Sequence, residues 1–108
     1  MIRVVIESPY AGATAAEVDA NVAYARRCLL DSLRRGEAPI ASHLLHTQVL
    51  DDRDPNERRL GIDAGLAWIA CADLLAVYVD RGTSRGMESG IAAARFAGVR
   101  VEERRIDR

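Results

Sequence analysis

The segment Asp73-Leu-Leu-Ala-Val-Tyr-Val-Asp80, followed directly by Arg-Gly-Thr-Ser-Arg-Gly-Met-Glu88-Ser-Gly-Ile-Ala-Ala-Ala, leaves few choices of fold. An apolar, β-branched run of this length reads as a strand buried on both faces, and such strands belong to parallel sheets. A parallel strand needs a crossover to its successor, and the Gly-rich turn with the Ala-rich stretch after it reads as that helix. In open parallel sheets, ligands bind beyond the carboxyl ends of the strands. Asp80 ends this strand and Glu88 opens the helix, so two carboxylates stand where such a fold does its chemistry. The turn between them can let a sugar or phosphate approach backbone N–H groups at a helix start. Gly82, Gly86 and Gly90 equally serve turn geometry and close helix–sheet packing.

The rest of the chain supplies companions for that strand. Val4-Val5-Ile6 is a short apolar run ending at Glu7-Ser8-Pro9-Tyr10, and Ala11-Gly12-Ala13 is a loop. Thr14 and Glu17 form a capping box for a helix whose stripe Val18, Val22, Ala25, Leu29 and Leu33 recurs at helical spacing. Gly36 ends it after Arg34 and Arg35, cations suited to the last turn of a helix. Ala38-Pro39-Ile40-Ala41 reads as a brief strand, placed at an edge by its proline. Ser42 to Asp52 is either a loop or a short helix. Asp54-Pro55-Asn56-Glu57 carries an N-cap, a proline at the first helical position and an acid at the third, and its helix runs to about Cys71. The helix after Ser84 spans about 86–97, and Val99 to Ile106 alternates as a final strand with one solvated face. The order β-α-β-α-β-α-β with right-handed crossovers predicts an α/β three-layer sandwich. Its four-stranded parallel sheet has strand order 2-1-3-4, with helices on both faces.

Composition narrows the function classes. A chain of 108 residues is expected to form one domain, 1–108, with a modest core, so a homo-oligomer such as a dimer is a natural way to bury more apolar surface. The 15 basic and 16 acidic residues are mixed along the chain, and the net charge of −1 leaves no footprint for polymeric nucleic acid or a membrane surface. Every basic residue is arginine, which excludes a Schiff-base lysine, a P-loop lysine and a kinase-type ATP site. Cys28 and Cys71 fall in expected helices without metal-ligand spacing and read as small buried apolar side chains. No metal and no cofactor are expected. The opening Met-Ile-Arg-Val-Val-Ile-Glu is a strand and not a signal sequence, and no apolar run approaches membrane-spanning length. A cytoplasmic location is expected.

The turns after the first and third strands leave the same edge of neighbouring strands and would wall one cleft. Ser8, Pro9, Tyr10 and Gly12 come from the first turn; Ser84, Arg85, Gly86 and Met87 come from the second. Tyr10 can stack on or hydrogen-bond to a ligand, and Ser84 with nearby N–H groups can hold an anion at the helix start. Glu88 with Asp80 or Asp73 would supply the pair of carboxylates, one nucleophilic and one acidic, that glycosidic cleavage uses. The plainer alternative makes Glu88 a first-turn acid favoured by the helix dipole and Asp80 a strand-end acid in water. His43 and His46 share a face if helical; lacking a well-placed acid they make a poor metal site, and they contact a ligand or face solvent. Asp51 and Asp52 read as loop residues, Arg58 and Arg59 as surface. The set points to an enzyme acting on a small molecule, or to a module that binds one.

Several short stretches recur together: Ser8-Pro9-Tyr10-Ala-Gly12, Asn21 with Ala25-Arg26, Ser42-His43-Leu44-Leu45, Glu57-Arg58 with Gly61, Asp73-Leu74, and Ser84-Arg-Gly86-Met87. Over nearly its whole length the chain thereby resembles the nucleoside 2-deoxyribosyltransferase-like superfamily, and within it a group of small phage and bacterial proteins. The resemblance implies a flavodoxin-like, Rossmann-like sheet, oligomers, and a nucleoside or nucleotide as ligand. Characterised members cleave the N-glycosidic bond. The transferases use a glutamate nucleophile and pass the sugar to a second base, whereas the nucleotide N-hydrolases pass it to water. Gly86-Met87-Glu88-Ser89-Gly90-Ile91-Ala92 is similar to the transferases' Gly-Met-Glu-x-Gly-x-Ala, which implies that Glu88 is the nucleophile. Asp73 and Asp80 fall near the two acids that contact the base and help it leave. The group of small proteins carries its acid two residues later, where this chain has Gly90. The chain also stops soon after its last strand, short of the segment with which transferases complete their site. These departures lead us to expect hydrolysis of a nucleoside or nucleoside 5′-monophosphate rather than transfer. Tyr10 would position the sugar or the nucleophile, and Ser8, Ser84 and Arg85 would meet a 5′-phosphate. The alternative is a non-catalytic nucleotide-binding or sensing module using the same cleft.

Overall fold

The apolar runs become the strands of one sheet in a computed structural model, which describes residues 1–107. Strands β1 (Arg3–Glu7), β2 (Ala38–Ile40), β3 (Leu74–Tyr78) and β4 (Arg100–Arg104) are parallel and ordered β2-β1-β3-β4. This is the α/β class and strand order read from the sequence. β3 is buried at every position, as a central strand covered on both faces must be. Pro39 lies in the edge strand β2, where the ladder can spare a donor.

Alternation along the strands builds two cores. Val4 and Ile6 of β1, with Leu74, Ala76 and Tyr78 of β3, pack under Tyr24 and Cys28 of α1 (Ala15–Arg34). Val5, Leu75 and Val77 pack on the other face, against Ile69 of α3 (Pro55–Ile69) and Met87 and Ala94 of α4 (Arg85–Phe96). Between β2 and α3 the ambiguous stretch forms one turn of helix, α2 (Ser42–Leu45), then a 3-10 turn over His46–Gln48. It lies close to α3 because two helix positions carry no side chain. A Cβ on Gly65 would stand 2.8 Å from Ser42 Oγ, and one on Gly61 would stand 3.2 Å from Leu50 Cδ1.

The helix starts follow the sequence signals with one shift. Thr14 Oγ1 accepts the Glu17 N–H, but the Glu17 carboxylate takes the N–H of Ala13 rather than that of Thr14. Asp54 caps α3 through the N–H groups of Asn56 and Glu57. Gly36, at φ 81°, supplies the left-handed residue that turns the chain after α1.

The final strand is shorter than its alternation predicts. The N–H groups of Ile106 and Asp107 leave the sheet and donate to the Asp80 carboxylate at 2.9–3.2 Å. Nor is its polar face wholly solvated: Arg104 is buried, and its guanidinium binds both oxygens of Glu37 at 2.7 Å and the Tyr78 hydroxyl at 3.3 Å. Cys28 is buried as expected, whereas Cys71 lies beyond the end of α3 and is exposed. Among the described residues no helix is long and apolar enough to cross a membrane.

Candidate functional site

The chain runs from β1 outward to β2 and returns to β3 on the other side of β1, so its connections diverge at the carboxyl ends of β1 and β3. Open parallel sheets hold ligands at such a switch point. A cleft of about 310 Å³ lies there. The loop after β1 contributes Ser8, Tyr10 and Ala11; α2 and the turn after it contribute Ser42, His43, His46 and Thr47. α3 lines it with Glu57, Arg58, Gly61, Gly65 and Ile69, and the start of α4 with Arg85, Gly86, Met87 and Ser89. Glu7, the last residue of β1, lines it as well.

The cleft carboxylates differ in their neighbours. Asp52 Oδ2 pairs with Arg58 Nη1 at 2.7 Å, and Glu57 accepts the backbone N–H of Asp51 at 3.1 Å. Glu7 shares a face of β1 with Val5, turned toward α3 and α4. Burial pushes its carboxyl from an ordinary 4.5 to about 8, and among the described residues no hydrogen bond or neighbouring charge offsets it. At neutral pH it therefore holds its proton.

Two imidazoles face the same space. His43 Nε2 and Ser8 Oγ share a hydrogen bond at 2.7 Å, and burial lowers the ring's pKa to about 4, so His43 is neutral. His46 Nδ1 is buried without a hydrogen-bond partner among the described residues.

The structure gathers some of the expected site residues and separates others. Ser8, Tyr10, His43, Ser84, Arg85, Gly86 and Met87 line the cleft. Ser84 Oγ also accepts the Met87 N–H at 3.3 Å, so part of its capacity goes to capping α4. Pro9 and Gly12 lie outside the lining. Gly12 instead lets the loop pass the start of α1, since a Cβ there would stand 3.1 Å from Glu17 Oε2.

The acids expected to surround the cleft are dispersed. Asp73 precedes β3 at the amino end of the sheet, about 13 Å from the Glu7 register. It accepts the Arg3 backbone N–H at 2.7 Å and pairs with the Arg3 side chain. Asp80 accepts from the Tyr24 hydroxyl at 2.5 Å and from the Ile106 and Asp107 N–H groups, which ties its carboxylate to α1 and the C-terminal segment. Glu88 is exposed and outside the lining, although its neighbours Met87 and Ser89 are in it. Met87 and Gly90 take the buried side of α4, and a residue one step along a helix points about 100° away.

Sequence reading missed Glu7, and it placed Arg58 at the surface. The signal for Glu7 was its parity with Val5. Its position depends on Gly90, where a Cβ would stand 2.7 Å from Glu7 Cδ.

A family model described as "Domain of unknown function (DUF7768)" matches residues 2–104. No curated protein matches the chain. Among solved structures, one similar fold is the 2-deoxyribosyltransferase of the psychrotolerant bacterium Bacillus psychrosaccharolyticus, a biocatalyst for nucleoside synthesis. The two superpose with a TM-score of 0.66 at 17% identity, covering 95% of this chain and 72% of that one.

Proposed function

We propose, for a chain that belongs to the domain family DUF7768, that the cleft binds a nucleoside or nucleoside 5′-monophosphate and hydrolyses its N-glycosidic bond. One observation carries the reading: the Glu7 carboxyl lines a cleft at the switch point of the sheet, where burial favours its protonated form. Breaking the bond between sugar and base leaves an electron pair on the base, and a positioned acid lowers the barrier by neutralising it. Support also comes from the motif resemblance and from the deoxyribosyltransferase likeness of the fold. Hydrolysis is preferred to transfer because Glu88, the expected nucleophile, lies outside the cleft lining, and water can capture the sugar without a covalent intermediate. Tyr10 meets the sugar, and Arg85 beside the start of α4 meets a 5′-phosphate. Self-association into a dimer belongs to the same proposal.

The displacement of Glu88 also favours a second reading, a module that binds a nucleotide and leaves it intact. Incubation with nucleosides and their monophosphates, followed by chromatography, separates the two. Free base above the uncatalysed background is the result expected of an enzyme. Intact nucleotide retained on the protein would make it a binding module, and neither result would exclude both. A large loss of turnover in Glu88→Gln would return the nucleophile's role to that residue.

A further inference from the structure

The buried side of α4 has a gap at Gly90, and the Glu7 carboxyl fills it. A Cβ at position 90 would stand 2.7 Å from Glu7 Cδ and 3.2 Å from its Cγ, nearer than packed side chains approach. The corner therefore admits one side chain, delivered either from the end of β1 or from α4. In this chain it comes from β1 and is an acid that also lines the cleft. We infer that Glu7 is the proton donor to the leaving base, and that Gly90 is the seat that lets it act from β1; this rests on the reading of the cleft as a nucleoside N-hydrolase.

The step balances with one carboxyl. The C1′–N bond breaks with its electrons going to the base, and the Glu7 carboxyl gives its proton to a base nitrogen. A water oxygen then bonds to C1′, and a proton from that water returns to the Glu7 carboxylate. Nucleoside and water become free base and sugar, and the acid is regenerated. The groups around the cleft that titrate or carry charge are Tyr10 from the loop after β1, His43 and His46 from α2 and its following turn, Asp52 before α3, Glu57 and Arg58 from α3, and Arg85 from α4. Arg58 is held by Asp52, and no charge among these offsets the burial of Glu7.

Glu7→Gln tests the role, because glutamine keeps the shape and neutrality of the protonated acid but has no acidic proton to give. Base release should fall by roughly 100-fold or more. The wild-type rate should decline above about pH 8, as the carboxyl ionises, and the residual rate of the variant should lack that limb. Gly90→Ala keeps the acid but pushes it from its seat, so it should lose turnover as well. The exchange Glu7→Ala with Gly90→Glu should recover part of it by delivering the acid from α4. An unchanged rate in Glu7→Gln, or a wild-type rate that holds steady past pH 8, overturns the inference while leaving the hydrolase reading intact. No base released by the wild type from any nucleoside or monophosphate overturns both. A carboxyl carbon resonance of Glu7 titrating near 4.5 in the folded protein overturns the donor role without any assay.

Discussion

Glu7 ends β1 and Asp80 lies just beyond β3, at the same edge of the sheet on neighbouring parallel strands, yet their surroundings put them in opposite protonation states. Burial raises both. Asp80 receives donors from Tyr24, Ile106 and Asp107, which outweigh burial and hold it down to about 2. Glu7 receives none among the described residues and rises to about 8. Sequence shows that a carboxylate ends a strand; it does not show which donors converge on it from residues dozens of positions away. The consequence for stability is measurable. The folded state keeps the Glu7 proton while the unfolded chain releases it near 4.5, so this residue's contribution falls as pH rises from 4.5 to 8. His43 behaves oppositely: the unfolded chain takes up a proton near 6.5 and the folded state resists until about 4, so its contribution falls as pH drops through that window. The two slopes cancel between about 4.5 and 6.5, and above that only Glu7 acts. Thermal melts of the wild type and Glu7→Gln should therefore diverge with rising pH, the variant gaining up to about pH 8. Parallel curves would show that Glu7 is solvated.

At the scale of elements, legibility followed the source of each element's stability. The strands, the long helices and the sheet order were readable because their apolar periodicity and caps are local and strong. The stretch after β2 was not, because a single turn of helix is held by its contact with glycines 61 and 65 of α3. β4 was readable as a strand, but its alternation concealed a buried charge. Arg104 reaches Glu37 and Tyr78, and Ser32 donates to the same Glu37 at 2.8 Å, so four residues from α1, the segment before β2, β3 and β4 form one network. Removing a single partner leaves an uncompensated charge away from water. Arg104→Met should cost about 3–5 kcal/mol in denaturant unfolding, and pairing it with Glu37→Leu should recover most of that loss. A single-variant cost below about 1 kcal/mol would mark the pair as solvated in solution.

The molecule as a whole presents 6671 Å² of surface, where a compact monomer of its mass exposes about 5,900 Å². Large apolar side chains contribute to that surface. Of the run Leu44-Leu45 to Val49-Leu50, only half faces outward. Leu44 packs on the α1-side core and Leu50 lies against Gly61, whereas Leu45 and Val49 are exposed, with Leu60 exposed on the neighbouring α3. Sequence could show that this run was apolar but not which side chains α3 would cover, since the turn's direction is set by its packing. α2, the 3-10 turn and α3 are also walls of the cleft, so a partner seated on this side would stand next to the site. A second copy of the chain would remove large apolar side chains from water at about 25 cal/mol per Å². Light scattering at micromolar concentration should then give about twice the 11.8 kDa chain mass. Val49→Asp with Leu60→Asp places charges on that surface without touching a cleft-lining residue, and should return the mass to one chain while the far-ultraviolet spectrum is retained. A wild-type mass of one chain would exclude the dimer, and a double variant that remains dimeric would move the interface to the other exposed apolar face, where Trp68 and Leu33 border a groove beside the β2 edge.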